Sequence, residues 1–274
     1  VQPLDSSQNL SNLASKKDMR IAITRPVSPK MQDCQLTHQD RRPIDIPLAE
    51  KQHADYEDAL RKLGCELVCA PELTFFPDSV FVEDCALVFD ELAIITRPGA
   101  ESRREEVFTI AETLETYRKK IFYLESPATL DGGDVLCVGR QVWVGLGGRT
   151  NALALMQMED ILGHLGYTVQ GVPVKHCLHL KTAVTQVGAQ TLLINPEWVD
   201  PSIFSDFELI EVDPAEPSAA NALLIGEEVI FPVDYPLTAI RLVEAGIELY
   251  LVDNSEVIKA EGGVTCCSIV FNPE

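Results

Sequence analysis

No stretch of this sequence stays apolar for anything near the roughly 18 residues that a membrane-spanning helix requires. Positive charge is scarce. Lys and Arg number 22 against 42 Asp and Glu, a formal net charge of −20. Such a field repels phosphate backbones, which argues against a nucleic-acid partner, and it attracts small cations. The eight cysteines are Cys34, Cys65, Cys69, Cys85, Cys137, Cys177, Cys266 and Cys267. They lack the paired Cys-x-x-Cys spacing of a structural zinc site, so no metal is expected. The polar first 18 residues, VQPLDSSQNLSNLASKKD, lack the apolar core of a secretory signal. A disulfide framework is therefore not expected. The thiols read as free, most of them buried, in a cytoplasmic protein. Residues 1–18 read as a flexible N-terminal tail, and 19–274 as a single domain with enough apolar sequence for a substantial core.

Strand signals are frequent: RIAITRP (20–26), CALVFDELAIITRP (85–98), DVLCVGRQVWVGL (134–146), TAVTQVGAQTLLIN (182–195) and ALLIGEEVIFPV (222–233). The last four each enclose a short polar or glycine-bearing turn, at Asp90-Glu91, Gly139-Arg140, Gly188-Ala189 and Gly226-Glu227, and so read as hairpins. Helical segments follow most of them. Residues 102–120 open on a Ser102–Glu105 capping box, 151–166 on Asn151 as N-cap, and 236–246 stop at Gly246. Another strand comes after: IFYL, YTVQGVPV, FELIEV and IELYLV. A unit of strand, turn, strand, helix, strand thus recurs four times between residues 85 and 252. CSIVF (267–271) lacks a hairpin partner and a helix, and RIAITRP, the helix-like 48–64 and CELVCA (65–70) supply them. The reading is an α/β ring of five ββαβ units, closed with both termini in one blade, which protects the sheet edges. A doubly wound parallel sheet would not need a hairpin in every unit.

Residues of reactive type fall just before each hairpin: Asp84, Asp131, His179, Asn221 and Cys266, separated by 47, 48, 42 and 45 residues. A five-unit ring brings such equivalent positions together at its axis. Carboxylates, an imidazole and a thiol thereby become one constellation. On strand alternation, Cys266 and Cys267 point to opposite faces, so only one of them can reach the axis.

The motifs FVED, ITRPGAESRR, LDGGDV, GRTN, LHLK and GVTCCS occur in that order. Together they resemble the dimethylarginine dimethylaminohydrolases of the amidinotransferase/arginine deiminase superfamily, over about residues 20–271. The resemblance implies the five-bladed pentein propeller. It also implies hydrolysis of Nω-methylated arginine to citrulline and a methylamine without a cofactor. It selects Cys266 as nucleophile, since a thiolate suits an electron-poor guanidinium carbon. It makes His179 the general acid/base, oriented by Asp131. Asp84 would pair with the substrate guanidinium, with Glu83 beside it, and Asp78 would meet the amino-acid end. Arg103 and Arg149, one repeat apart, would take the α-carboxylate. Leu36 aligns with a flap residue over the ligand, and Ala260 with a position that offers its backbone carbonyl to the site. Asp134 is read as bracing its turn and Asn221 as structural or as a polar lining group. His176 is not assigned a catalytic part. The partner is a small cationic amino acid, and the protein a monomer or homodimer. Two other readings stay open: an arginine deiminase or another guanidino hydrolase, disfavoured by Lys181 where deiminases carry a second aspartate, and a catalytically silent metabolite-binding protein on the same scaffold.

Overall fold

The computed structural model describes residues 20–273, so the tail expected over 1–18 lies outside the described residues. Within them the strands form five three-stranded sheets. Four are built from consecutive chain: β3 (Ala86–Val88), β4 (Ala93–Ile95) and β5 (Ile121–Tyr123); β6 (Val135–Val138), β7 (Gln141–Leu146) and β8 (Thr168–Pro173); β9 (Val184–Gly188), β10 (Thr191–Ile194) and β11 (Glu208–Glu211); β12 (Leu223–Ile225), β13 (Glu228–Pro232) and β14 (Glu248–Val252). The middle strand of each is antiparallel to its hairpin partner and parallel to the third. The fifth sheet joins the two ends of the described chain in the same pattern. β1 (Arg20–Thr24) runs antiparallel to β15 (Ile269–Phe271), with Ile21 opposite Phe271, and parallel to β2 (Cys65–Cys69). The split unit expected from the sequence is therefore present.

The connections follow from local chemistry, with two corrections. Helix α1 (Ile46–Lys62) is capped by Asp45, which accepts from the Leu48 N–H at 3.1 Å, and it buries Ala49, Tyr56, Ala59 and Leu60. Helix α2 is only Val107–Leu114, not the whole of 102–120. The expected capping box does not form. Residues Glu101–Arg103 make a 3-10 turn instead, and the buried Arg103 draws the Glu106 carboxylate to itself. Helix α3 (Ala152–Leu162) is capped by Asn151 as expected. The β10–β11 connection carries only a 3-10 turn, Pro201–Phe204, where the general pattern calls for a helix. Pro196 and Pro201 interrupt that segment, and proline cannot donate inside a helix. A four-residue α4 (Leu180–Ala183) precedes β9, and α5 (Pro236–Glu244) leads to Gly246 at φ +83°. A last short helix, α6 (Ser255–Ile258), precedes the C-terminal turn. One hairpin turn sits a residue later than expected, at Ala189-Gln190, where a bulge at Thr191/Leu192 takes up the difference.

The core is divided into five apolar layers, each between sequence-successive sheets. The layer that joins the last to the first sets Ile225 and Ile230 against Ala22 and Cys65. Among the described residues, no helix is long and apolar enough to cross a membrane.

Candidate active site

Every unit begins with one tight turn before its hairpin: Val82–Cys85, Gly132–Asp134, Leu180–Ala183, 217–220 and 264–267. These turns carry or flank the reactive residues. Two close backbone approaches let them meet. A Cβ on Gly132 would stand 2.0 Å from the Glu83 carbonyl oxygen, and one on Gly133 2.6 Å from His179 Nδ1. Only glycine fits at either place. The Gly133 N–H also donates to Asp84 Oδ1 at 2.9 Å, which joins the first two turns.

His179 and Asp131 pair through Nε2 and Oδ2 at 3.0 Å, and both are buried. The other Asp131 oxygen accepts from the Gly99 N–H at 2.8 Å, which fixes the carboxylate plane. Asp84 Oδ1 lies 4.0 Å from the same imidazole nitrogen. Burial alone would lower the pKa of His179. The Asp84 charge and the Asp131 hydrogen bond outweigh it and lift the group to about 9. Asp84 is buried, yet His179 and Arg103 overcome the desolvation and hold its carboxyl at about 2. Arg103 donates from Nη1 to Asp84 Oδ2 at 2.5 Å, and it spends its other donors on Glu106 and on the Asp78 and Phe81 carbonyls. Arg149 stands differently, 3.5 Å from Asp131 Oδ2, with no side-chain hydrogen bond to another described residue.

Asp134 bridges two elements. Its oxygens accept from the Leu180 N–H at 2.9 Å and from Thr150 Oγ1 at 2.6 Å. Desolvation raises it to about 6 against the pull of His179. It braces more than its own turn, since Leu180 follows His179 and Thr150 follows Arg149.

The two C-terminal cysteines lie in the 264–267 turn and not in a strand, so strand alternation does not apply to them. The turn, closed by Cys266 N–H to Gly263 O, still separates them. Cys266 lines the cavity described below, while Cys267 is buried in the adjoining apolar layer. Cys266 Sγ accepts from the Gly263 N–H at 3.2 Å. Burial, then Glu83 and Asp84, push the thiol up to about 12. Asn221 steadies this turn. Its amide donates to Lys181 O and Thr265 Oγ1 and accepts from the Thr265 N–H.

A cavity of about 20 Å³ joins these groups, lined by Asp78, Asp84, Arg103, Arg149, His179, Ala260 and Cys266. Asp131 stands behind His179. Two expected contributors are placed elsewhere. Glu83 lies off the cavity wall, paired with Lys181 at 2.5 Å and with Thr265 Oγ1 at 2.8 Å. Leu36 packs against the apolar layer, and its neighbour Gln35 reaches the wall, with its N–H on the Asp78 carboxylate at 3.1 Å. Gln35, Phe81, Leu178, Glu261 and Gly262 complete the lining, and none of the first four was singled out from the sequence. The one available signal was the AEGG run, where chain reversal beside a nucleophile brings backbone and side chain to the site. Ligand atoms of Asp84, Asp131 and His179 lie within 4.8 Å of one another, close enough for a cation. Those donors are spent on one another, on Arg103 and on backbone N–H groups.

No protein-family model matches the chain. Individual proteins do. It is 40% identical to the N(G),N(G)-dimethylarginine dimethylaminohydrolase of Streptomyces coelicolor over 249 residues, 90% of this chain and 95% of the relative. It is likewise 40% identical to the Pseudomonas aeruginosa protein of the same name, over 83% of this chain and 90% of the relative. A solved structure of the Pseudomonas aeruginosa enzyme, a cysteine-to-serine mutant with citrulline, superimposes with a TM-score of 0.87 at 38% identity, covering 91% of this chain and 98% of that one. The chain belongs to the dimethylarginine dimethylaminohydrolase family.

Proposed function

We propose that this protein hydrolyses Nω-methylated L-arginine to L-citrulline and methylamine or dimethylamine, with Cys266 as nucleophile. The single observation that carries the reading is the convergence of Cys266, His179 and Asp84 on one cavity, with Asp131 behind the imidazole. In the first half-reaction the Cys266 thiol gives its proton to solvent as the guanidinium binds, and the thiolate adds to the guanidinium carbon. His179, as imidazolium, passes its proton to the methylated nitrogen, the C–N bond breaks, and the amine leaves a thiouronium on the sulfur. In the second, the now neutral His179 takes a proton from water, the hydroxide adds to the same carbon, and the C–S bond breaks to give the ureido product. Asp131 holds the ring and stabilises its charged form. Asp84 faces the guanidinium, and Asp78 and the Ala260 carbonyl serve the α-ammonium. Arg149, which approaches Asp131 at 3.5 Å but donates no side-chain hydrogen bond to another described residue, is the reader of the α-carboxylate. Arg103 supports that wall chiefly by keeping Asp84 ionised. Glu83 acts from behind the thiol, through charge.

The arrangement of five like sheets, with an apolar layer between the last and the first, supports a closed pseudo-fivefold pentein ring in one catalytic domain. The test of function is direct. Cys266→Ser abolishes citrulline formation from asymmetric dimethylarginine and monomethylarginine, Cys267→Ser retains most of it, and mass spectrometry of the quenched wild-type reaction finds the adduct on the Cys266 peptide. An active Cys266→Ser enzyme overturns the assignment.

A further inference from the structure

Residues 37–43 follow Gln35, which lines the catalytic cavity, and their side chains are exposed, so apolar burial does little to hold them. What holds them is polar, and at residues 37–39 it converges on one carboxylate. The Thr37 N–H sits 3.0 Å from both Glu261 oxygens, and the His38 and Gln39 N–H groups donate to Oε1 at 2.5 and 2.6 Å. Three consecutive backbone N–H groups thus form a nest around one anion. Other tethers flank it: Gln39 Nε2 to Ile258 O at 3.3 Å, Lys259 Nζ to Pro43 O at 3.1 Å, the Arg41 guanidinium to the Gln32 and Cys34 carbonyls, and Gln32 Nε2 to Arg42 O. Glu261 itself has φ +59°, a left-handed conformation that a glutamate adopts at a cost of about 1–3 kcal/mol, retained only where surroundings enforce it. It also lines the cavity, between Ala260 and Gly262 and five residues before the nucleophile.

We propose that Glu261 is a positioning residue for the reaction. Its carboxylate ties segment 37–39 down over the site and so couples closure of the cavity to the backbone that presents Ala260 and Cys266. Release of this tether opens the wall that Gln35 and Glu261 help to form, and remaking it restores that wall around the substrate. Charge-assisted bonds at an exposed segment suit that, since they exchange readily for water, whereas an apolar seal would not. The turnover consequence rests on the function proposed above; the tether itself does not.

The experiment compares Glu261→Ala and Glu261→Gln with the wild type by hydrogen exchange of the 37–39 amides, by alkylation of Cys266 in the ligand-free protein, and by steady-state kinetics on asymmetric dimethylarginine. Glu261→Ala speeds exchange of those amides and alkylation by about tenfold or more. It raises KM more than it lowers kcat, and leaves the thermal midpoint close to wild type. Glu261→Gln, which keeps one acceptor oxygen for His38 and Gln39, lies between. Exchange and alkylation do not depend on which substrate is turned over, so faster exchange with no hydrolysis of methylarginine sinks the function and leaves the tether. Unchanged exchange in Glu261→Ala overturns the tether whatever the activity. Should Glu261→Ala fail to fold, exchange in Glu261→Gln decides alone: wild-type protection of all three amides, Thr37 included, refutes the proposal.

Discussion

The resting electrostatics make one demand that can be worked through. With the site free of ligand, Cys266 ionises at about 12 and His179 at about 9. At neutral pH the pair is therefore a neutral thiol beside an imidazolium, with the proton already on the group that must serve the departing amine. What is missing is the thiolate. A guanidinium placed ~4 Å from the sulfur contributes about 4 kcal/mol at an effective dielectric near 20. That equals roughly three pKa units. The sign is fixed: a cation favours the anionic sulfur, so the thiol falls from about 12 toward the range of His179. At pH 8 the ionised fraction rises from about one in ten thousand to roughly one in ten. The same cation disfavours the imidazolium and makes its proton easier to give up. The assay is the ultraviolet thiolate absorbance titrated against pH, with and without a non-reactive guanidinium ligand, using Cys266→Ser as blank. A ligand that leaves the apparent pKa of Cys266 where it was, or raises it, refutes the reasoning. So does an empty site that already holds thiolate at neutral pH.

Two other outcomes follow from particular contacts. Gly133→Ala places a methyl group 2.6 Å from His179 Nδ1 and 2.9 Å from its Cγ, so the ring must move off Asp131. A displacement near 1 Å lowers kcat by about a hundredfold, and circular dichroism checks that the fold persists; near-normal kcat would show the imidazole to be less tightly placed than the geometry requires. For Arg149, agmatine, which lacks the α-carboxylate, is a far poorer substrate than methylarginine for the wild type. Arg149→Ala narrows the gap by about ten- to a hundredfold, and equal handling of both substrates by the wild type would remove the arginine from that role.

The five-unit plan was legible because its signals are local and repeat. Gly139 and Gly226 sit at positive φ in two of the three hairpin turns that glycine marked, and Asn151 caps α3 as its position implied. The meeting of Asp84, Asp131, His179 and Cys266 was legible for a different reason, their near-constant spacing, which a ring converts into proximity. The errors arose where a tertiary contact overrode a local preference. Ser102 and Glu105 satisfy a capping pattern, but burial of Arg103 against Asp84 and Glu106 pulls that stretch into a 3-10 turn. Cys267 looked like the first residue of a strand, yet the backbone closes a turn through Ser268 before β15 begins. Glu261 could not have been found by repeat spacing, because its partners come from a segment more than two hundred residues away.

The commitment of Arg103 changes how the site must be understood. Sequence alone set Arg103 and Arg149 as equals, one repeat apart, both aimed at the substrate carboxylate. In the folded chain they divide. Arg103 is buried with its charge spent between Asp84 and Glu106, and removing it would strand two buried carboxylates, a loss far larger than one substrate contact. The His179 charge and that pairing together hold the Asp84 carboxyl at about 2, although burial pushes the other way. An ionised Asp84 in turn has two effects. It lifts His179, which holds the proton for the leaving group, and it suppresses the Cys266 thiolate until a cation arrives. The guanidinium that Asp84 is placed to bind is then the same charge that releases the nucleophile, so affinity for a cation and ionisation of the thiol are one electrostatic event.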